Sequence, residues 1–209
     1  MTNDSDRERA IRLAPALADI AEQLSIYADL LRRWQAKINL VGPSTLGSVW
    51  TRHFADSIQV LDSAPFAAVW ADLGSGAGFP GMVVALVQAS RLAGETHLIE
   101  SDSRKAAFLR EVSRETRARA LIHCGRCEDV LPALAPEVIT SRAMTDLPRL
   151  IRLSQEHVEK GAMAVFLKGR DIGFELTKTT TNSSFSIDLA PSKVDPSSYV
   201  ACVRAARTC

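Results

Sequence analysis

The stretch Asp72-Leu73-Gly74-Ser75-Gly76-Ala77-Gly78-Phe79-Pro80-Gly81 decides the fold class of this chain. Four glycines fall within eight residues, directly after the apolar run from Val69 to Leu73 and directly before an apolar helical stretch from Pro80 to about Ala89. A strand that ends in glycines and resumes as a helix lets a ligand approach the backbone, with a helix N-terminus behind it. Pro80 suits the first turn of that helix, where its missing N–H is no loss. A tight turn that held no ligand would not need so many glycines.

Outward from this block the texture is regular. Thr96 to Glu100, Ala120 to Cys124, Val138 to Ser141 and Ala162 to Leu167 read as further strands, with helical patterns between them. Ser103 to Arg117 is the clearest of these, amphipathic with Ala106, Phe108, Leu109 and Val112 apolar. Strand alternating with helix implies a parallel sheet covered on both faces. After Leu167 the rhythm changes: Phe185 to Leu189 and Tyr199 to Val203, separated by Pro191 and Pro196, predict an antiparallel hairpin closing the sheet. The fold class is therefore α/β, a doubly wound, mostly parallel, seven-stranded Rossmann-like sheet.

On the N-terminal side, Leu17, Ile20, Leu24, Tyr27, Leu31, Trp34 and Ile38 recur in steps of three and four and draw one stripe along a helix. Pro43-Ser44 breaks the pattern, Ser44 is a candidate cap for a second helix through about Asp62, and Pro65 ends it. Thr2 to Arg9 is polar, holds no apolar seam, and reads as a frayed start. Residues 1–64 are thus expected to be a helical cap, and residues 65–209 a ligand-binding domain, the two forming one compact unit.

Composition sets the outer bounds. The 209 residues fit one domain with an appended cap, and 46% hydrophobic with 23% charged residues supports a sizeable core. No early apolar run resembles a signal peptide and no stretch approaches the length of a membrane span, so a soluble, cytoplasmic monomer is expected. A net charge of +1 does not announce a nucleic-acid partner, but a basic patch can sit inside a neutral total. Asp4, Asp6, Glu8, Asp19 and Glu22 crowd the beginning, while Arg104, Arg110, Arg114, Arg117, Arg119 and Arg126 cluster later, mostly as a solvated helix face. Cys124-Gly125-Arg126-Cys127 has the spacing of a redox dithiol or half a zinc site. It comes too late for the former, and Cys202 and Cys209 are poorly spaced to complete the latter. Plain thiols and no metal are expected.

The ligand of the glycine turn is harder to read, because Gly76-x-Gly78-x-x-Gly81 also satisfies the dinucleotide-binding pattern. Asp72 bears on the choice. A carboxylate at the strand's end would repel a pyrophosphate, whereas S-adenosylmethionine carries a sulfonium and an ammonium that an acid attracts directly or through water. Glu100 closes the second strand where an acid can accept hydrogen bonds from both ribose hydroxyls. Nicotinamide cofactors use the same device, so Glu100 does not discriminate; Asp72 and the terminal hairpin favour the methyl donor.

The glycine block resembles that of the bacterial small-subunit ribosomal RNA guanine-N7 methyltransferases, the RsmG (GidB) family. Further segments are similar and fall in the same order: Trp34-x-x-Lys37-x-Asn39-Leu40, Arg52-His53-Phe54-x-Asp56-Ser57, Leu98-Ile99-Glu100-Ser101 with Arg104-Lys105-x-x-Phe108-Leu109, Ser141-Arg142-Ala143, and Leu167-Lys168-Gly169. The similarity runs from about Tyr27 to Gly169. It implies methyl transfer from S-adenosylmethionine to N7 of a guanine in 16S ribosomal RNA, guanine 527, with the small ribosomal subunit as partner. It further implies that Gly74 and Phe79 contact the methyl donor, that Cys127 and Glu128 flank its adenine, and that Arg142 lies beside donor and target base. The chain departs from the family pattern at Pro136-Glu137, where an aromatic followed by Asp is usual, and in the tail, with its Thr-rich Thr177 to Thr181 and Asn182.

That target constrains the chemistry. Guanine N7 has a free lone pair and no hydrogen, so methylating it needs no general base. Positioning and water exclusion dominate, and no catalytic acid or base is named. The product ring is cationic, so a nearby arginine opposes it unless it reads O6 or a phosphate. Neither the Asn-Pro-Pro-Tyr tetrapeptide of amine methylators nor the Pro-Cys pair of cytosine-C5 enzymes occurs, in agreement with N7. Arg142, at the end of the fourth strand, is the candidate for positioning. Arg52, His53, Lys168 and Arg170 are candidate RNA contacts, the last two through phosphates; His53 has the alternative of a satisfied histidine between cap and core. Two other functions stay open: an NAD(P)-binding oxidoreductase, and a non-catalytic RNA-binding or ribosome-assembly module, the latter disfavoured by the intact glycine block and Glu100.

Overall fold

The computed structural model describes residues 3–179 and 184–206. Seven strands, β1 (Val69–Leu73), β2 (Glu95–Glu100), β3 (Ala120–Cys124), β4 (Val138–Arg142), β5 (Met163–Lys168), β6 (Phe185–Pro191) and β7 (Tyr199–Ala205), form one sheet in the order β3-β2-β1-β4-β5-β7-β6. The first five are parallel; β7 runs antiparallel to β5, and β6 antiparallel to β7. The expected terminal hairpin is therefore present.

From β1 the chain winds outward to β3 and then returns to β4 on the other side of β1. Open α/β sheets bind ligands at such a reversal, beyond the carboxyl ends of the strands. Register puts those ends level: Leu73 pairs with Ile99 on one side and Ser141 on the other. The glycine turn, Glu100 and Arg142 consequently emerge along one edge.

Helices α5 (Gly81–Ser90), α6 (Ser103–Thr116), α7 (Cys127–Val130), α8 (Leu147–Glu159) and α9 (Ile172–Thr177) follow β1 to β5 in turn. Pro80 stands at the N-cap of α5, one residue earlier than expected. Asp102 caps α6, its carboxylate accepting from the amides of Arg104 (2.8 Å) and Lys105 (3.3 Å), and Arg117 ends it in the left-handed conformation (φ 56°). Asp146 caps α8 through the Arg149 amide (3.2 Å). The six arginines from Arg104 to Arg126 are all exposed. Glu137 accepts a hydrogen bond from the Ala68 amide (3.1 Å), which ties the entrances of β4 and β1.

Ahead of the sheet lie α1 (Asn3–Leu13), a 3₁₀ turn Pro15–Ile20, and α2 (Ala21–Gln35). The frayed start is thus a correction: it belongs to a helix held by a polar contact that apolar periodicity does not register. Asp6 is buried, and its carboxylate accepts from the amides of Trp50 (2.9 Å) and Thr51 (3.3 Å) and from the Thr51 hydroxyl. The stripe buries Leu17, Ile20, Leu24, Tyr27 and Leu31, with Trp34 and Ile38 at its half-buried end. The second helical run starts after Gly42 with Pro43 in its first turn, and Ser44 makes no capping bond. It runs through a 3₁₀ stretch Pro43–Ser48, a π turn Trp50–Ala55, α3 (Asp56–Ile58) and α4 (Val60–Ser63). One hydrophobic cluster joins Leu24, Tyr27 and Phe54 of these helices to Phe79, Met82, Phe108 and Leu109; a second fills the opposite face around Ile99, Leu147 and Phe166.

Among the described residues no helix is long and apolar enough to cross a membrane. Cys124, Cys127 and Cys202 are free thiols. Thr2, Thr180, Thr181, Asn182 and Cys209 lie outside the described residues.

Candidate active site

Two cavities adjoin at the carboxyl edge of the sheet. The first, about 440 Å³, is lined by the glycine turn, Glu100, Cys127, Glu128, Arg142 and Met144 among others. The second, about 390 Å³, is lined among others by Arg52, His53, Asp56, Arg142, Lys168 and Tyr199. Leu40, Arg142 and Ala143 line both, so Arg142 stands where the two meet.

The first cavity is built from the turn upward. Gly74 has φ +61°, and a Cβ there would come within 2.7 Å of the Met144 side chain, which is itself part of the wall. Gly78 has φ +93°, and a Cβ there would lie 2.5 Å from the Tyr27 hydroxyl. Both positions combine a left-handed backbone with a close neighbour, so only glycine fits. The Tyr27 hydroxyl donates to the carbonyl of Ala77, fixing the turn from beneath. Above it, Glu100 accepts from the amides of Gly76 (2.8 Å) and Asp102 (2.7 Å). A carboxylate offers about four lone-pair positions, so two remain for a ligand's hydroxyls. All six residues expected to hold the donor, Gly74, Phe79, Glu100, Cys127, Glu128 and Arg142, line this cavity. Burial pushes the Cys127 thiol up to about 11, which leaves it protonated and unreactive. Glu128 pairs at the rim with Arg149 (3.2 Å).

Asp72 is placed differently from the expectation. It is fully buried and does not line the cavity; Oδ1 accepts from Thr140 (2.8 Å), and Oδ2 faces the start of α5 at Gly81. Burial raises its carboxyl to about 6, against the pull of its hydrogen bonds. A ligand in this cavity would therefore not touch Asp72, whose charge acts on the lining residues Cys127 and Arg142 through space.

Arg142 is held from several sides. Its Nη2 donates to His53 Nδ1 (2.7 Å), and its Nη1 to the Arg52 carbonyl (3.2 Å) and Asp56 (3.4 Å). The guanidinium carbon lies 4.9 Å from the centre of the Phe79 ring. Burial lowers its pKa, and Asp56 opposes that shift. The following residue, Ala143, is left-handed at φ +54°, an uncommon state for a side chain with a Cβ and one that gathers at functional sites.

The candidate RNA contacts divide. Arg52 lines the second cavity half-exposed, paired with Asp195 (2.7 Å), and Arg170 is exposed but lines neither cavity. His53 is 7% exposed and stacks on Phe79 (4.8 Å, 12°), so it lies between the helical layer and the sheet, at the inner wall of the second cavity. Lys168 lines the second cavity with its amine engaged inside the protein: its Nζ is 2.7 Å from Glu175 and 2.9 Å from the Thr145 carbonyl. The sequence reading missed Tyr27, Thr45 and Met144 as site residues. A phenol in a stripe of Leu, Ile and one Trp was the available signal for Tyr27, since a buried tyrosine hydroxyl needs a partner.

The chain is similar to known proteins along nearly its whole length. A family model described as rRNA small subunit methyltransferase G matches residues 20–203. Ribosomal RNA small subunit methyltransferase G of Bradyrhizobium sp. (strain BTAi1) is 46% identical over 178 residues, 84% of this chain and 80% of the relative. The protein of that name from Methylobacterium nodulans is 43% identical over 198 residues, 94% of this chain and 93% of its own. Among solved structures, precorrin-6y C5,15-methyltransferase from Geobacter metallireducens aligns with a TM-score of 0.59 at 11% identity, covering 80% of this chain and 91% of that one. A mutant of MtNAS in complex with S-adenosylmethionine aligns at 0.58 and 14% identity, covering 96% and 76%. These distant structures share the fold. The close relatives and the family model say more: the chain belongs to the rRNA small subunit methyltransferase G family.

Proposed function

We propose that this protein transfers a methyl group from S-adenosylmethionine to N7 of a guanine in 16S ribosomal RNA, guanine 527 by the family resemblance. The observation that carries the reading is the pair of cavities meeting at Arg142: one group must be handed between two ligands, and Arg142 is the charged side chain among the three residues that line both. At about 440 Å³ the first cavity falls within the range of roughly 300–1,000 Å³ typical of small-molecule sites. Bound there, the donor supplies an electrophilic methyl group on a sulfonium. Gly74 and Phe79 would border it, Glu100 would accept its ribose hydroxyls, Cys127 and Glu128 would flank its adenine, and Arg142 would close the side facing the target.

The second cavity takes the target base. The N7 lone pair forms the new N–C bond as the C–S bond breaks toward sulfur, and no proton moves, so no general base is required. The chain's task is to hold the base in line and exclude water. The product ring is cationic, and Arg142 is compatible with it when the guanidinium donates to O6, the acceptor beside N7. Arg52 and Arg170, the exposed cations near this edge, contribute phosphate contacts.

Mass spectrometry of 16S rRNA from cells with and without the protein tests the reading. We expect one 7-methylguanosine to disappear with the protein and to return on adding purified protein and S-adenosylmethionine to the RNA or the subunit. Unchanged RNA, or calorimetry showing that the protein binds a nicotinamide nucleotide and ignores S-adenosylmethionine, overturns it.

A further inference from the structure

We propose that His53 is a positioning residue of the transfer reaction, a neutral imidazole that fixes the Arg142 guanidinium where the two cavities meet. The inference rests on the reading of those cavities as donor and target sites, and it is carried by a chain of hydrogen bonds whose direction is fixed at every link. A guanidinium only donates, so at 2.7 Å from Arg142 Nη2 the His53 Nδ1 must accept. The ring proton therefore sits on Nε2, which donates to Thr45 Oγ1 at 2.8 Å. The Thr45 hydroxyl sends its own proton to the Gly42 carbonyl, also 2.8 Å away. Protonating Nδ1 would break the first link and set two cations against each other.

The surroundings hold the ring neutral. The groups facing it are Arg142, Arg52, Asp56 and the Phe79 ring. Burial, then Arg142, then Arg52 push the imidazole down to about 3, and the Asp56 carboxylate is itself engaged by Arg142. His53 stacks on Phe79 while the guanidinium lies over the same ring, so histidine, arginine and cofactor turn are locked as one block. Tyr27 extends the block, stacked on Phe79 at 5.4 Å.

The chemistry explains why such a lock matters. An unrestrained arginine would follow the nearest phosphate and leave the base, while a fixed one meets O6 only when N7 is in line. His53 therefore acts on turnover and not on RNA affinity.

His53→Phe preserves the aromatic stack and removes the acceptor; His53→Asn restores an acceptor at the Nδ1 position. We expect His53→Phe to lower kcat about 10- to 100-fold, the scale of one lost hydrogen bond to a charged group. KM for RNA and for S-adenosylmethionine should stay within about threefold of the original. His53→Asn should recover at least about tenfold of the loss, because the charged bond is remade. A His53→Phe protein with unchanged kcat, or one that loses RNA affinity in place of kcat, overturns the proposal. Nitrogen-15 NMR of the unaltered protein gives a readout independent of turnover: the Nε2–H tautomer should persist from pH 8 to pH 5 without titrating. An Nδ1–H tautomer or titration in that range overturns it even if His53→Phe does not fold. If the unaltered protein methylates no rRNA, the functional reading fails, and the tautomer measurement still decides whether His53 clamps Arg142.

Discussion

Arg142 owes its position to three acceptors in one short segment, the Arg52 carbonyl, His53 and Asp56, and to the Phe79 ring, and that makes its replacement informative. Arg142→Lys keeps the charge but loses the planar fork that reaches His53, Asp56 and the Arg52 carbonyl together. We expect single-turnover methyl transfer to fall at least about tenfold, while filter binding shows the salt slope of RNA affinity changed by no more than about one unit. Normal transfer with weakened affinity would make Arg142 a phosphate clamp. Asp72 supports a prediction of another kind. Its carboxyl is raised to about 6 by burial, above its ordinary value, so the folded state holds the proton more tightly than the unfolded one. Ionising it therefore works against folding. The cost is full above about pH 6, shrinks as the pH falls through 6, and is gone below the ordinary Asp value near 4. Relative to Asp72→Asn, the unaltered protein should gain about 2 kcal/mol between pH 8 and pH 4.5 in urea titrations. A difference independent of pH would place the carboxyl in water.

At the scale of elements, the loop after β4 and helix α9 are clasped by Lys168. Its amine bonds the Thr145 carbonyl and Glu175, and Glu175 also accepts from the Leu147 amide at 2.6 Å. The loop lines the first cavity through Ala143, Met144 and Thr145, while Glu175 lines the second, so the clasp sets the walls of both. Lys168→Met leaves the partly buried Glu175 carboxylate with the Leu147 amide but without its cation, and should cost about 3 kcal/mol. The double variant Lys168→Met/Glu175→Gln should recover part of that cost in thermal melts, and RNA affinity should not follow the charge lost. Additive losses, or a drop in RNA affinity matching one phosphate contact, would return Lys168 to the RNA surface.

Over the whole molecule, the N-terminal helices and the sheet share one core, and Tyr27, Phe54 and Phe79 meet within it at ring distances of 5.3–5.9 Å. We propose that residues 1–64 and 65–209 form a single folding unit. Residues 65–209 alone would expose Phe79, Phe108 and Leu109, which the N-terminal helices cover, and would lose the Tyr27 bond beneath the turn. We expect that fragment to lack a cooperative melt and native near-ultraviolet dichroism. A cooperative transition with S-adenosylmethionine binding intact would show the helical layer to be an independent cap.

The sequence alone determined the alternation of strand and helix, the closing hairpin and the glycine turn, because each follows from short-range rules: period, breakers, and glycines between a strand and a helix. Strand boundaries such as Val69–Leu73 and Ala120–Cys124 coincide with those read from the chain. The six residues expected at the donor, five from the family resemblance and Glu100 from its place at the end of the second strand, line one cavity because they follow strands whose carboxyl ends a doubly wound sheet brings to one edge. Only the tertiary structure decided what the charged and polar side chains do there. Asp6 anchors a helix that polarity had concealed, Asp72 turns inward, Lys168 is spent on Glu175, and His53 belongs to Arg142. The physical reason is common to all four. A polar group's role is fixed by which partner lies within about 3 Å once it is out of water; three of these partners stand 44, 68 and 89 residues away, separations across which no periodicity in the sequence carries information, and the fourth pair, 7 residues apart, joins the end of a strand to the following helix, so that no single period runs between them.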